Sequence, residues 1–323
     1  MSRVLLGLLL IALLGGAGFL FTRYEIRRQD GAITIRPLHA QGNVESDPDL
    51  PPPPLARKTI RIATFHITAL DSHKLQRDFV ASYLVDLVRR FDLVAVQGVQ
   101  ARNQGVLMDF VEKINAGGHH YDFATGPEVG REPTEHYSAF LFDKATIEID
   151  RDQVYTVDDP QQRFGRKPLV GLFRARGPEA AEAFTFRLVN VHLLPDRVDM
   201  ELDLLDDVLG AVRRSAPQED DVILLGDVET DERGLGQLGQ VPRLTWAVAD
   251  TLSTTRGTKL ADNLFFDRRA TSEFTGRSGV VDLIREFNLT MQQAVEISAH
   301  MPVWAEFSVH EGGQLGHLPV EAK

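Results

Sequence analysis

The chain has 323 residues, 43% hydrophobic and 25% charged, with a formal net charge of −11 and no cysteine. That length suits one large domain or two small ones, and the balance of residues excludes a chain disordered throughout. The missing thiols exclude disulfides, thiolate metal sites and thiol catalysis, and the acidity excludes a general attraction to polyanions outside a local basic patch.

Val4 to Thr22 carries no charged residue and is rich in Leu, Gly, Ala and Phe. At ~1.5 Å per residue a helix of that length roughly spans a ~30 Å hydrocarbon layer. It is therefore expected as a single-pass membrane anchor within residues 1–28, contacting the membrane through this helix, with the soluble domain extracytoplasmic. The competing reading is a signal peptide cleaved near Gly16-Ala17-Gly18; it is disfavoured because Phe19-Leu20-Phe21 continues the apolar run past that site. Arg3 on one side and Arg23, Arg27 and Arg28 on the other leave orientation unset.

Residues 29–57 read as a Pro-rich linker, in which Pro51-Pro52-Pro53-Pro54 predicts a stiff polyproline rod. Ile33 and Ile35 fit a short strand there. The main domain is expected over 58–310, followed by a tail over 311–323. Thr59 to Ile67 predicts a strand, and Ser72 to Phe91 a helix with Leu75, Phe79, Val80, Tyr83, Leu84, Leu87 and Val88 on one face. Leu93 to Val96 is a short buried strand. A second helix runs through Val106, Leu107, Phe110, Val111 and Ile114 and closes at Gly117-Gly118. Strands follow near Tyr137–Phe142, Leu169–Phe173 and Phe184–His192, then a third helix from about Arg197 to Arg214. Further strands fit Val222–Leu225, Asn263–Phe266 and Val303–Val309. Several strands succeed one another without an intervening helix, which predicts an α/β (α+β) fold of mixed sheets with outer helices.

Polar residues gather at the ends of these apolar strands, where catalytic groups often sit. They are His66 in TFHI, Asn190 and His192 in LVNVHLL, Asp227 and Glu229 in ILLGDVET, Asp262 in LADNLFF and His300 in ISAHMPV. Each alone reads as a capped strand end or a hydrogen-bonded core histidine. Five strands ending this way point to a site.

The order T-F-x-I, V-Q-x-V, E-x-Y, N-V-H-L, L-L-G-D, D-N and I-S-x-H-x-P-V resembles the endonuclease/exonuclease/phosphatase superfamily, and within it the pancreatic-type deoxyribonucleases. The resemblance runs from about Thr59 to Val309. It implies a four-layer sandwich, two packed mixed β-sheets flanked by helices. It also implies that His192, oriented by Glu135, and His300, oriented by Asp262, flank the scissile phosphate. Asp227 would bind a divalent metal, magnesium or manganese, or align the attacking water. Arg166, Asn190 and Thr254 would serve the phosphate, with Tyr137 in support. Such a set makes chemical sense, because in-line hydrolysis needs a base for water, an acid for the leaving oxygen and positive charge on the phosphate.

Four positions depart from the pattern of the resemblance. His66 replaces an Asn, Gly98 replaces the Glu that is the principal metal ligand, Glu229 replaces an Asn and Ala299 replaces an Asp. Two carboxylates are lost, while two groups able to ligate a metal are added near Asp227. The expectation is a weakened or altered metal site built from Asp227, Glu229 and His66. A mixed nitrogen and oxygen set would suit manganese or zinc better than magnesium. The function expected is a membrane-anchored phosphodiesterase or nuclease-like hydrolase acting on nucleic acid or a phospholipid head group. The alternatives are a non-catalytic phosphate- or nucleic-acid-binding module and a plain scaffold. On this reading, Gly98→Glu with Ala299→Asp should restore magnesium-dependent activity.

Overall fold

The computed structural model describes residues 24–29, 32–37, 57–127, 129, 136–217 and 219–312. Residues up to Leu50 form a unit of their own. Within it, β1 (Tyr24–Gln29) and β2 (Ala32–Pro37) pair antiparallel with Ile26 opposite Ile35, so the short strand expected at Ile33 and Ile35 is present. The expected membrane anchor is corrected. Among the described residues no helix is long and apolar enough to cross a bilayer, and Val4–Thr22 itself lies outside the described residues. The proline rod at 51–54 lies outside them too.

The second unit holds β3 (Thr59–Leu70), β4 (Leu93–Val99), β5 (Tyr121–Thr125), β6 (Tyr137–Asp143), β7 (Ile147–Thr156), β8 (Leu169–Ala175) and β9 (Thr185–His192). It continues with β10 (Val222–Asp227), β11 (Leu244–Trp246), β12 (Asp262–Asp267), β13 (Phe274–Val280) and β14 (Val303–Ser308). Its helices are α1 (Ser72–Leu75), α2 (Asp78–Val88), α3 (Gly105–Asn115), α4 (Val198–Leu202), α5 (Leu205–Ser215), α6 (Leu283–Phe287) and α7 (Met291–Ile297). Two helices expected to be continuous are broken, one between α1 and α2 and the other between α4 and α5.

The strands form two mixed sheets of six, ordered β11-β12-β10-β9-β8-β7 and β13-β14-β3-β4-β6-β5. Side chains alternate between the faces of a strand, and that alternation builds the core. Ile60, Ile62, Leu93, Ala95, Leu188, Ile223, Leu225, Leu264 and Phe266 face between the sheets and are fully buried. The opposite face of the second sheet packs on helices through Phe65, Val94, Leu84, Phe110 and Ile297, and that of the first through Val189, Leu224, Leu205 and Leu209. Each layer thus hides one face of its neighbour, which is why the central strands read as apolar runs.

Following the inward face toward the ends of β3, β4, β9, β10 and β12 leads from hydrocarbon to polar groups. Ile62 is followed by Thr64 and His66, Ala95 by Gln97, Leu188 by Asn190 and His192, and Leu225 by Asp227. Cross-strand register then sets Asp227 opposite His192 on one side and Asp262 on the other. Gly226 makes that approach feasible: its φ is +149°, and a Cβ there would collide with the Val191 carbonyl.

Candidate active site

The first polar row beneath the cleft joins the two sheets. Gln97 Nε2 donates to Asn190 Oδ1 at 2.8 Å and to Thr64 Oγ1 at 2.9 Å. Asn190 Nδ2 donates to the carbonyls of Val96 at 3.2 Å and Ala139 at 3.1 Å. Asn190 is fully buried and its amide is engaged on both ends, so here it braces the sheets under the cleft rather than facing a phosphate. A saturated buried network of this kind fixes the geometry above it.

The second row is the cleft. His66 Nδ1 lies 2.8 Å from Asp227 Oδ2, and His300 Nδ1 lies 2.8 Å from Asp262 Oδ2 and 3.8 Å from Asp227 Oδ2. The His66 ring sits between the other two imidazoles, 4.3 Å from His192 and 4.4 Å from His300 by ring centres. Asp262 is held in turn by Ser253, whose hydroxyl donates to Oδ2 at 2.7 Å and accepts from the backbone N–H groups of Ala261 and Asp262. Ser298 Oγ donates to the His66 carbonyl at 2.7 Å, and the His300 N–H donates to it at 3.2 Å.

Electrostatics drive the two outer imidazoles apart. Burial, with His66 and Arg166 nearby, pushes His192 far below the usual imidazole range. Burial pulls on His300 in the same direction, but Asp262, Asp227 and Glu229 outweigh it and hold His300 at about 9. Asp227 is raised by burial and by Asp262, against the hydrogen bond from His66.

Arg166 comes to the cleft on a loop stapled by Glu201, a fully buried carboxylate. Glu201 accepts from the Gly165 N–H at 2.7 Å and from the Leu194 N–H at 2.9 Å. Arg166 Nη1 is buried without a hydrogen-bond partner, and its charge bears on His192 and Asp227. Neither Glu201 nor Ser253 stood out in the sequence, where no motif separates them from other polar residues.

Of the other expected residues, Tyr137, Thr254 and Glu229 have their polar groups engaged elsewhere. Glu135 lies outside the described residues. Its neighbour Tyr137 donates to the Asn103 carbonyl at 2.8 Å. Thr254 bridges to His300 in the backbone, and its hydroxyl is taken up within its own turn, by Thr258 and Lys259. Glu229 does not join His66 and Asp227: it stands at φ +59° and pairs with Lys259. The three-ligand set expected from sequence is therefore corrected, because the backbone turns left-handed immediately after Asp227 and Val228 and carries the Glu229 carboxylate to a lysine.

The departure at Gly98 also reads differently in three dimensions. Its φ is +83°, and a Cβ there would lie 2.5 Å from the Ile67 carbonyl oxygen and 2.9 Å from His66 Cδ2. The imidazole of His66 occupies the space that a side chain at position 98 would use. The two substitutions are one structural change, and restoring Glu at 98 alone has no room.

The remaining donors fit a divalent ion. Asp262 Oδ1 is buried with no hydrogen-bond partner, and donor atoms of Asp227, Asp262 and His300, and of His66, His192 and Asp227, lie within 4.8 Å of one another. Buried carboxylate oxygens are rarely left unsatisfied, and a cation between Asp227 and Asp262 would satisfy this one.

No family model matches the chain. It is 25% identical over 284 residues to deoxyribonuclease-1-like 2 of Homo sapiens, covering 78% of this chain and 93% of that protein. Among solved structures, D. rerio TDP2 complexed with single strand DNA product superposes with a TM-score of 0.57 at 13% identity, over 78% of this chain and 99% of that one. An endonuclease/exonuclease/phosphatase family protein from Bacteroides thetaiotaomicron gives 0.52 at 12% identity, over 77% and 97%. The likeness in sequence to deoxyribonucleases and in fold to endonuclease/exonuclease/phosphatase proteins supports that superfamily. The cleft opens where strands of both sheets end together, with His66 and Gly98 side by side at its floor.

Proposed function

We propose that this chain hydrolyses phosphodiester bonds of nucleic acid, with an altered metal centre in which His66 pairs with Asp227 between His192 and His300. The observation that carries the reading is the convergence of His192, the His300–Asp262 pair and the unpartnered Arg166 Nη1 around Asp227. The sequence likeness to a deoxyribonuclease and the fold likeness to a DNA-bound structure support nucleic acid as the substrate class.

The roles follow from the protonation states that the site imposes. His192, which burial keeps neutral, is the imidazole of the pair able to accept the proton of the attacking water. His300 is protonated at pH 7, and Asp262 orients it to donate to the leaving oxygen. Two titratable groups driven apart by their surroundings are the usual mark of an acid–base pair. Arg166, positioned by Glu201, neutralises a non-bridging oxygen through the donor that has no partner of its own. Asp227, His66 and Asp262 Oδ1 would hold a divalent ion, which supplies further positive charge to the phosphate when bound. Two carboxylates with an imidazole favour manganese or zinc over magnesium, which prefers an all-oxygen shell.

The test is hydrolysis of plasmid DNA and of bis-p-nitrophenyl phosphate with magnesium, manganese, zinc or calcium. Turnover with manganese or zinc well above that of His192→Ala is expected. Wild-type rates equal to that variant with every ion would reject hydrolysis and leave a binding module.

A further inference from the structure

The inward face of β10 has two ends. Asp227 closes one, and Asp221, immediately before the strand, closes the other on the same side as Ile223 and Leu225. Six residues at about 3.3 Å each put the second end about 20 Å from the active site. There Asp221 meets Glu273, at the entry to β13, and Glu311, just beyond β14, with ligand-capable oxygens of all three within 4.8 Å of one another. Glu219 and Asp220 crowd the same carboxylate.

An acidic cluster alone would mean little, since most are solvated. This one is not. Asp221 is fully buried, and neither Oδ1 nor Oδ2 has a hydrogen bond of normal geometry, although Thr271 and Glu311 lie close enough to interact with it. Glu273 is 1% exposed and its Oε2 is also unpartnered. Thr271, fully buried beside Asp221, has an Oγ1 without a hydrogen bond of normal geometry. The other oxygens are already placed: Glu273 Oε1 accepts from Gly312 N–H and Ser272, Glu311 Oε2 from Thr185 N–H and Glu219 Oε1 from Asp221 N–H. Among the described residues Arg187 bears on Glu219 and donates Nη2 to Gln153. Burial and the facing carboxylates of Glu273, Glu311 and Glu219 push Asp221 up to about 9.

We propose that Asp221, Glu273 and Glu311 form a second cation site, a calcium clip that ties β10 of one sheet to the β13–β14 edge of the other. The free oxygens are hard donors with no nitrogen among them, which excludes a preference for zinc or copper. Calcium takes six to eight oxygens at about 2.3–2.6 Å and accepts bidentate carboxylates, whereas magnesium holds its waters and suits a buried site poorly. Its role is structural. It joins elements that meet late in the chain, and it offsets a buried charge that would otherwise oppose folding.

Thermal unfolding of the full chain in EDTA, in CaCl2 and in MgCl2 tests this. A rise of about 5 °C or more with millimolar calcium is expected for the wild type, and a smaller one with magnesium. Asp221→Asn should lose the calcium-dependent rise yet melt in EDTA no lower than the wild type, because without the ion Asp221 is already held neutral by burial and its carboxylate neighbours, and an amide is close to it in shape. Glu311→Gln, a change at an exposed side chain, should weaken calcium binding by about tenfold in calorimetric titration. Asp227→Asn should keep the rise, separating this site from the cleft. The proposal is overturned if the wild type gains nothing from calcium. It is equally overturned if Asp221→Asn and Glu311→Gln keep the full gain, which would place the ion elsewhere.

Discussion

The two ends of β10 answer the same problem in opposite ways. At each end an aspartate on the inward face is sealed beneath the sandwich and withdrawn from water. At the cleft, Asp227 is met by His66 and His300 and faces an arginine, so its negative charge has partners of the other sign. At the far end, Asp221 is met by carboxylates. The first arrangement is nearly balanced as it stands and leaves particular donors free for chemistry. The second is unbalanced until a cation or protons enter. Burial is therefore not what distinguishes the two aspartates; the sign of their neighbours is.

The largest effect should come from breaking the balance at the cleft. His192→Ala and Asp262→Asn are each expected to lower the hydrolysis rate by about 10²- to 10⁴-fold, the usual share of general acid–base catalysis. Melting temperature should barely move for His192→Ala, and initial rates beside thermal scans separate the two quantities.

Next is Gly98→Glu, paired or not with Ala299→Asp. The sequence reading expects a gain in magnesium-dependent activity. The structure expects destabilisation by roughly 2–4 kcal/mol, from left-handed backbone and from overpacking against His66. Urea unfolding measures it. Adding His66→Asn should recover part of the loss, since the imidazole is one of the two obstacles, and full tolerance of Gly98→Glu alone would show that the cleft is roomier than described.

Lys74 gives a charge of the other sign to compare. It lies buried beside the cleft-side loop with its ammonium on the Thr68 carbonyl. Burial lowers it to about 8 from 10.5, against the pull of Asp71. Between those values the unfolded chain holds more protons than the folded one, so stability should rise with pH across that window, by roughly 1–3 kcal/mol. Lys74→Met should abolish the rise in denaturant titrations at pH 7.5 and 10. A rise of unchanged size in that variant would assign the effect to another group.

The smallest effect belongs to the pair that sequence placed in the metal site. Lys259 is 46% exposed at its side chain, so Lys259→Ala should cost at most about 1 kcal/mol. Glu229→Ala should leave manganese affinity unchanged within about twofold, whereas His66→Ala should weaken it by tenfold or more. Calorimetric titration of both variants would show whether Glu229 has been correctly set outside the ligand set.

Much of this was legible in the residues. The eight strands read from apolar runs are the eight interior strands of the two sheets, because a strand covered on both faces must be apolar at nearly every position. Within these two sheets the four that went unread, β5, β7, β11 and β13, are the four edges. Edge strands bury too little to carry a pattern: β7 is mostly exposed or half-buried, and β13 holds Gly276 and Gly279. Polar residues ending apolar strands marked His66, His192, Asp227, Asp262 and His300 correctly as neighbours, since the alternation that points Leu225 inward also points Asp227 inward.

What sequence could not decide was which of two adjacent groups faces which neighbour. Glu229 and His66 look equivalent as additions beside Asp227, but a left-handed turn sends one to Lys259 while cross-strand register sends the other to Asp227. Gly98 looks like a deletion until its φ and the ring of His66 show one space shared by two positions. Asp221, Glu273 and Glu311 are scattered over ninety residues with no motif to join them, and only the stacking of the two sheets brings them together. Local pattern determines which face a side chain takes; long-range register and backbone handedness determine what it finds there.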